Sequence, residues 1–114
     1  MTTPMPVYDP GDVVIVPFPF TDRDASKRRP ALVCSSRAFN SQTKHAVLAM
    51  ITTATHTSWS EDVEITDLKK AGLPSPSVVR WKLFTLDASL ILRRAGKLAP
   101  ADRQRCHKAN PLAL

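Results

Sequence analysis

The chain has 114 residues, enough for one domain with a single modest core. Lysine and arginine outnumber aspartate and glutamate by 16 to 10, a net charge of +6. That balance favours polyanionic partners, above all nucleic acid. The longest apolar runs fall far short of the roughly 20 residues a membrane helix needs, and Met1 to Pro6 has neither the charged start nor the apolar core of a signal peptide. A cytoplasmic protein with no membrane partner is expected.

Residues 1–7 read as a flexible N-terminus on a single domain spanning 1–114. Ten prolines and three glycines imply short segments with stiff corners. Strands are predicted over Asp12 to Phe18, Ala31 to Ser35, His45 to Thr53, Asp62 to Ile65 and Val78 to Leu86, all rich in Val, Ile, Thr and aromatics and bounded by turn formers. The third run is apolar almost throughout, which puts it at the centre of a sheet. The fourth alternates polar and apolar, as a strand with one wet face should. Thr66 to Gly72 reads as one helical turn closed by Gly72. Ala88 to Leu98 is ambiguous. Pro100 to Asn110 is the best helix, with Pro at its start, Asp102 in its first turn and basic residues towards its end. Its apolar side is thin: Ala101, Cys106 and Ala109, flanked by Leu98 and Leu112. The sum is a mainly β fold with short helices, a small antiparallel barrel carrying a C-terminal helix.

Lys27, Arg28 and Arg29 arrive together where the polar loop Pro19 to Ser26 turns into an apolar strand. Clustered cations repel one another unless an anion sits between them. Phosphate suits the planar donor fork of arginine, although charge runs often only face water. Cys34 and Cys106 read as reduced core residues. The three histidines, His45, His56 and His107, are scattered, and neither they nor the cysteines have metal-ligand spacing, so no metal and no cofactor are expected.

Four short motifs stand in order. They are Gly11 to Val14 with Val16 to Asp22, Lys27 to Val33, Ala49 to Thr53, and Pro76 to Arg80 with Lys82 to Asp87. This set, spanning nearly the whole chain, resembles the MazF/PemK family, the ribonuclease toxins of bacterial toxin–antitoxin pairs. The resemblance implies a small SH3-like barrel that forms a homodimer. It implies metal-independent cleavage of single-stranded RNA. It also implies a cognate antitoxin, small, acidic and partly disordered, whose extended tail blocks the RNA groove.

By the same resemblance Arg29 and Thr52 occupy the catalytic positions at the scissile phosphate. Arg80 is a candidate for a further catalytic or phosphate-binding cation, with a structural ion pair as the competing reading. Some relatives carry an acid two residues after this Arg; Lys82 stands there in this chain, which suggests a backbone-phosphate contact. Thr21, Lys27, Arg28, Thr53 and Trp81 complete the expected RNA contacts. His56 matches no catalytic position. Trp59 and Trp81 have rings suited to stacking on unpaired bases, although aromatics in a small barrel are more often core. Phe18 is expected in the core, Phe20 is open, and the loop Thr21 to Lys27 is expected to move over the groove. Two other readings share the barrel: a toxin that binds DNA gyrase and cleaves nothing, and an RNA-binding module without activity.

Overall fold

The computed structural model describes residues 6–18, 27–54 and 59–111. Its strands are β1 (Asp12–Phe18), β2 (Lys27–Val33), β3 (His45–Thr53), β4 (Val63–Glu64), β5 (Ser77–Asp87) and β6 (Arg93–Lys97). They form one antiparallel sheet in the order β4-β5-β3-β2-β1-β6. The sheet curls into a half-barrel, open because its edge strands β4 and β6 do not pair with each other. Helices α1 (Arg37–Thr43) and α2 (Leu68–Ala71) and a 3-10 turn at Ala88–Leu90 occupy connections between strands, and helix α3 (Pro100–Ala109) follows β6.

The apolar run in β3 is explained by its place. It lies between β2 and β5 and packs on both faces. Val13, Leu32, Ala49, Ile51 and Val79 build one core layer beneath α2 and α3, while Val14, Val16, Ala31, Leu48 and Leu86 build the other. The two-residue period of each strand sorts side chains between these layers. α2 lies against β6 through two glycines. Gly72 has φ +73 and Gly96 lies under the α2 backbone, and a Cβ would sit 2.1 Å from the Ala95 carbonyl oxygen at Gly72 and 2.4 Å from the Lys70 carbonyl oxygen at Gly96.

α3 starts at Pro100 as expected and ends one residue early, at Ala109, but its anchor is different. Asp102 is 0 % exposed and, with Cys106 one turn later, fixes the helix to the molecule. The Asp102 carboxylate accepts from the Thr66 hydroxyl (2.7 Å) and from the backbone N–H groups of Thr66 and Asp67 (3.0 Å each), and it pairs with Arg105. A thin apolar stripe suffices because this polar clamp supplies the rest. Cys34 and Cys106 are free thiols; burial pushes them up to about 12 and about 11, so neither is poised as a nucleophile.

β4 shortens to Val63–Glu64 and β2 ends at Val33, and larger differences from expectation lie elsewhere. β2 begins at Lys27, because Lys27, Arg28 and Arg29 pair with Phe18, Pro17 and Val16 of β1. α1 is unanticipated; the Ser36 hydroxyl caps its start, and Lys44, not glycine, takes the left-handed conformation at its end. The ambiguous stretch resolves into the 3-10 turn and the edge strand β6, whose Arg93 and Arg94 suit an exposed edge. Among the described residues no helix is long and apolar enough to cross a membrane.

Candidate active site

The β1–β2 hairpin pairs Val16 with Arg29, and β2 pairs Ala31 with Met50 of β3. Continued by two residues, that register sets Arg29 opposite Thr52. On the other side of β3, Met50 pairs with Arg80 of β5. Three strands thus bring Arg29, Thr52 and Arg80 to one face of the sheet. Between Met50 and Ala49 the register of β5 jumps from Arg80 to Leu83. Trp81 and Lys82 therefore form a bulge, a device that re-aims side chains.

Phe18, Arg29, Met50, Thr52, Arg80 and Lys82 line a cleft of about 440 Å³ on this face. Arg29 is exposed, with its guanidinium carbon 5.1 Å from the centre of the Phe18 ring. Phe18 is 38 % exposed and is not a core residue, because it lies at the far end of β1 beyond the covered part of the sheet. Thr52 is half-buried and Lys82 exposed.

Arg80 is almost buried and held by Asp62. Nε donates to Oδ1 at 3.2 Å and Nη2 to Oδ2 at 2.8 Å, a two-pronged ion pair. The Arg80 side-chain bond is the main reason the Asp62 carboxyl stays below the usual carboxylate range. The turn before β4 holds Asp62 in turn: its Oδ2 accepts from the Trp59 N–H at 2.9 Å, and its own N–H donates to the Trp59 carbonyl at 3.0 Å. Arg80 is thus a positioned cation with a counter-charge. The excess positive charge in the cleft comes from Arg29 and Lys82.

Other expected contacts lie elsewhere. Arg28 points away from Arg29 and lines a separate groove with Arg93. Thr53 is exposed at the end of β3, on the strand face opposite Thr52. Lys27 is exposed at the start of β2 without lining the cleft. Trp81 is half-buried, packs against the core layer beneath α3, and donates from its indole to the Glu61 carbonyl at 2.8 Å. Thr21, Phe20 and His56 lie outside the described residues. Asp62 escaped the sequence reading, because its partner Arg80 lies 18 residues further along the chain. Among the described residues no three His, Cys, Asp or Glu side chains converge as a metal site requires.

Residues 9–111 match the family profile described as PemK-like, MazF-like toxin of type II toxin–antitoxin system. The chain belongs to that family. The structural neighbours agree with the assignment at the level of fold. An endoribonuclease from a mycobacterial species superposes with a TM-score of 0.72 at 20% identity, over 96% of this chain and 92% of that one. An endoribonuclease in complex with its cognate antitoxin, also mycobacterial, gives 0.70 at 19% identity over 92% and 90%. The MazE–MazF complex of Deinococcus radiodurans gives 0.69 at 20% identity over 90% of each chain. No curated protein matches the chain by sequence. In this MazF-like chain the cleft of Arg29 and Thr52 is where the four short sequence motifs contribute lining residues together.

Proposed function

We propose that this MazF-like toxin is a metal-independent endoribonuclease acting on single-stranded RNA. The observation that supports it most is the convergence of Arg29 and Thr52, from separate motifs, in a cleft whose unbalanced charge is positive. RNA carries its own nucleophile. The 2′-oxygen forms a bond to phosphorus, the bond to the 5′-oxygen of the next nucleotide breaks, and a proton passes from the first oxygen to the second overall. The products are a 2′,3′-cyclic phosphate and a 5′-hydroxyl. Such a step needs alignment and stabilisation of the added negative charge. Arg29 supplies a forked cation and Thr52 a hydroxyl donor to a phosphate oxygen. Among the described residues the cleft is lined by cations and by no carboxylate, which supports the metal-free route.

A labelled single-stranded RNA incubated in EDTA should be cut, leaving cyclic-phosphate ends. Loss of cutting in EDTA with recovery on adding magnesium or manganese overturns the metal-free route. RNA retarded on a gel but intact returns the chain to an RNA-binding module, and inhibition of gyrase supercoiling without RNA cleavage favours the gyrase reading. Thr52→Val keeps shape and strand propensity while removing the hydroxyl, so cleavage should slow roughly tenfold or more. A folded, fully active Thr52→Val protein leaves Thr52 only a structural part.

Lys82 serves affinity in this reading. Its exposed ammonium is a mobile point charge suited to a phosphate beyond the scissile one. Lys82→Ala should raise KM and reduce the salt dependence by about one phosphate contact, leaving single-turnover cleavage at saturating RNA nearly unchanged. A large fall in the saturated rate at unchanged affinity places Lys82 in the chemistry instead.

The partner reading follows the structural neighbours, which include an endoribonuclease with its cognate antitoxin and MazE–MazF complexes. A small acidic antitoxin with a disordered tail should occupy the cleft and fold on binding, and the toxin itself should be a homodimer. Competition between antitoxin and RNA, and light scattering of the free protein, test these two points.

A further inference from the structure

Beside the cleft, Trp59 stands 45 % exposed, a large aromatic ring that the core does not use. Two features fix its place. Its backbone is pinned on both sides by Asp62, through the N–H at 2.9 Å and the carbonyl at 3.0 Å. Its ring is neighboured by two cations of the cleft, the Arg80 guanidinium carbon and the Lys82 ammonium, each 5.3 Å from the ring centre. Trp59 itself lines a second, wider groove of about 630 Å³ with Ser60, Glu61, Trp81 and Ala109. The ring therefore stands at the boundary between the cationic cleft and an apolar groove.

The geometry points to Trp59 as a stacking platform for one unpaired nucleobase next to the scissile phosphate. This inference rests on the RNA-cleaving reading of the cleft. The Arg80 and Lys82 cations lie over part of the indole, so a base stacks on the ring surface they leave exposed, and the same cations suit the phosphates flanking that base. Ser60 and Glu61, both exposed, line the same groove and are polar residues able to hydrogen-bond a base edge. The bulge in β5 serves this arrangement, since it lies where Lys82 is presented to the ring and Trp81 to the groove.

The test exploits the fact that Asp62 holds Trp59 only through main-chain atoms. Trp59→Ala removes the ring yet leaves the turn, and with it the Arg80–Asp62 pair, in place. The probe is a short single-stranded RNA that the protein cuts, with the 2′-hydroxyl at the cut blocked, and a series of copies each lacking one base. The native protein should lose about tenfold in affinity at one position next to the cut. Trp59→Ala should bind the intact RNA about tenfold more weakly and show no further loss when that base is missing. Trp59→Phe should recover much of the difference. If the protein cuts RNA but Trp59→Ala binds it as tightly as the native protein, the platform is refuted and the nuclease reading stands. The platform is refuted equally if the ring and the base act additively. If no single-stranded RNA is bound or cut by the native protein, both readings fall together.

Discussion

Arg29→Ala should lower the saturated rate of RNA cleavage by roughly a hundredfold to a thousandfold, the loss that follows removal of one well-placed donor at a developing charge, about 3–4 kcal/mol. The structure makes the change clean. Arg29 is exposed on the outer half of β2, and its described side-chain contact is the Phe18 ring at 5.1 Å, an interaction worth about 0.5–1 kcal/mol at an exposed site. Stability should therefore change little. Arg29→Lys keeps the charge but loses the planar fork, and should recover only part of the rate. Circular dichroism and single-turnover kinetics together check this. A well-folded Arg29→Ala protein within a few-fold of native activity removes Arg29 from the chemistry.

The second large effect concerns stability. Asp102→Ala should lower the midpoint of thermal unfolding by roughly 10 °C or more. The substitution leaves the Thr66 and Asp67 N–H groups facing a small cavity at a fully buried site, at about 1–3 kcal/mol for each buried donor left unmatched. For a domain of this size each kcal/mol moves the midpoint by about 4 °C. The same clamp carries a pH dependence. Burial works to raise the Asp102 carboxyl, but the bonds from the Asp67 N–H, the Thr66 hydroxyl and N–H, and Arg105 outweigh it and hold the group below the usual range. A carboxyl depressed in the folded state contributes stability above its unfolded value, about 3.9, and that contribution fades as pH falls through the folded value. The gap between native and Asp102→Ala should thus be full near neutral pH and narrow in acid. A midpoint within a few degrees of native at pH 7 means that α3 is held by its apolar contacts alone.

Residue periodicity carried the fold a long way. β1 and β3 lie where β-branched and apolar content between turn formers places them, and α3 follows its proline start and terminal charges. What escaped is what local pattern cannot encode. α1 lacks the glycine that usually marks a helix end, because Lys44 accepts the left-handed turn itself. β6 is short and charged, and it becomes a strand only because β1 offers an edge to pair with. Asp102 looked like a first-turn charge, since nothing in its neighbourhood announces that Thr66 and Asp67 will arrive 36 and 35 residues away in sequence.

The candidate site divides along the same line. The motifs around Arg29 and Thr52 are contiguous stretches, so the sequence by itself determined the family and named these two residues. Tertiary structure alone decided which neighbours join them. Adjacent residues on a strand face opposite ways, so Arg29 turned into the cleft and Arg28 away from it. The bulge in β5 put Lys82 into the cleft and Trp81 against the layer beneath α3. Asp62, eighteen residues before Arg80, became its counter-charge. Trp59 came to stand beside both cations only because a turn folded back to meet β5. Strand register and turn closure are long-range facts, set by which edges pair and what the core can bury, and no window of local sequence contains them.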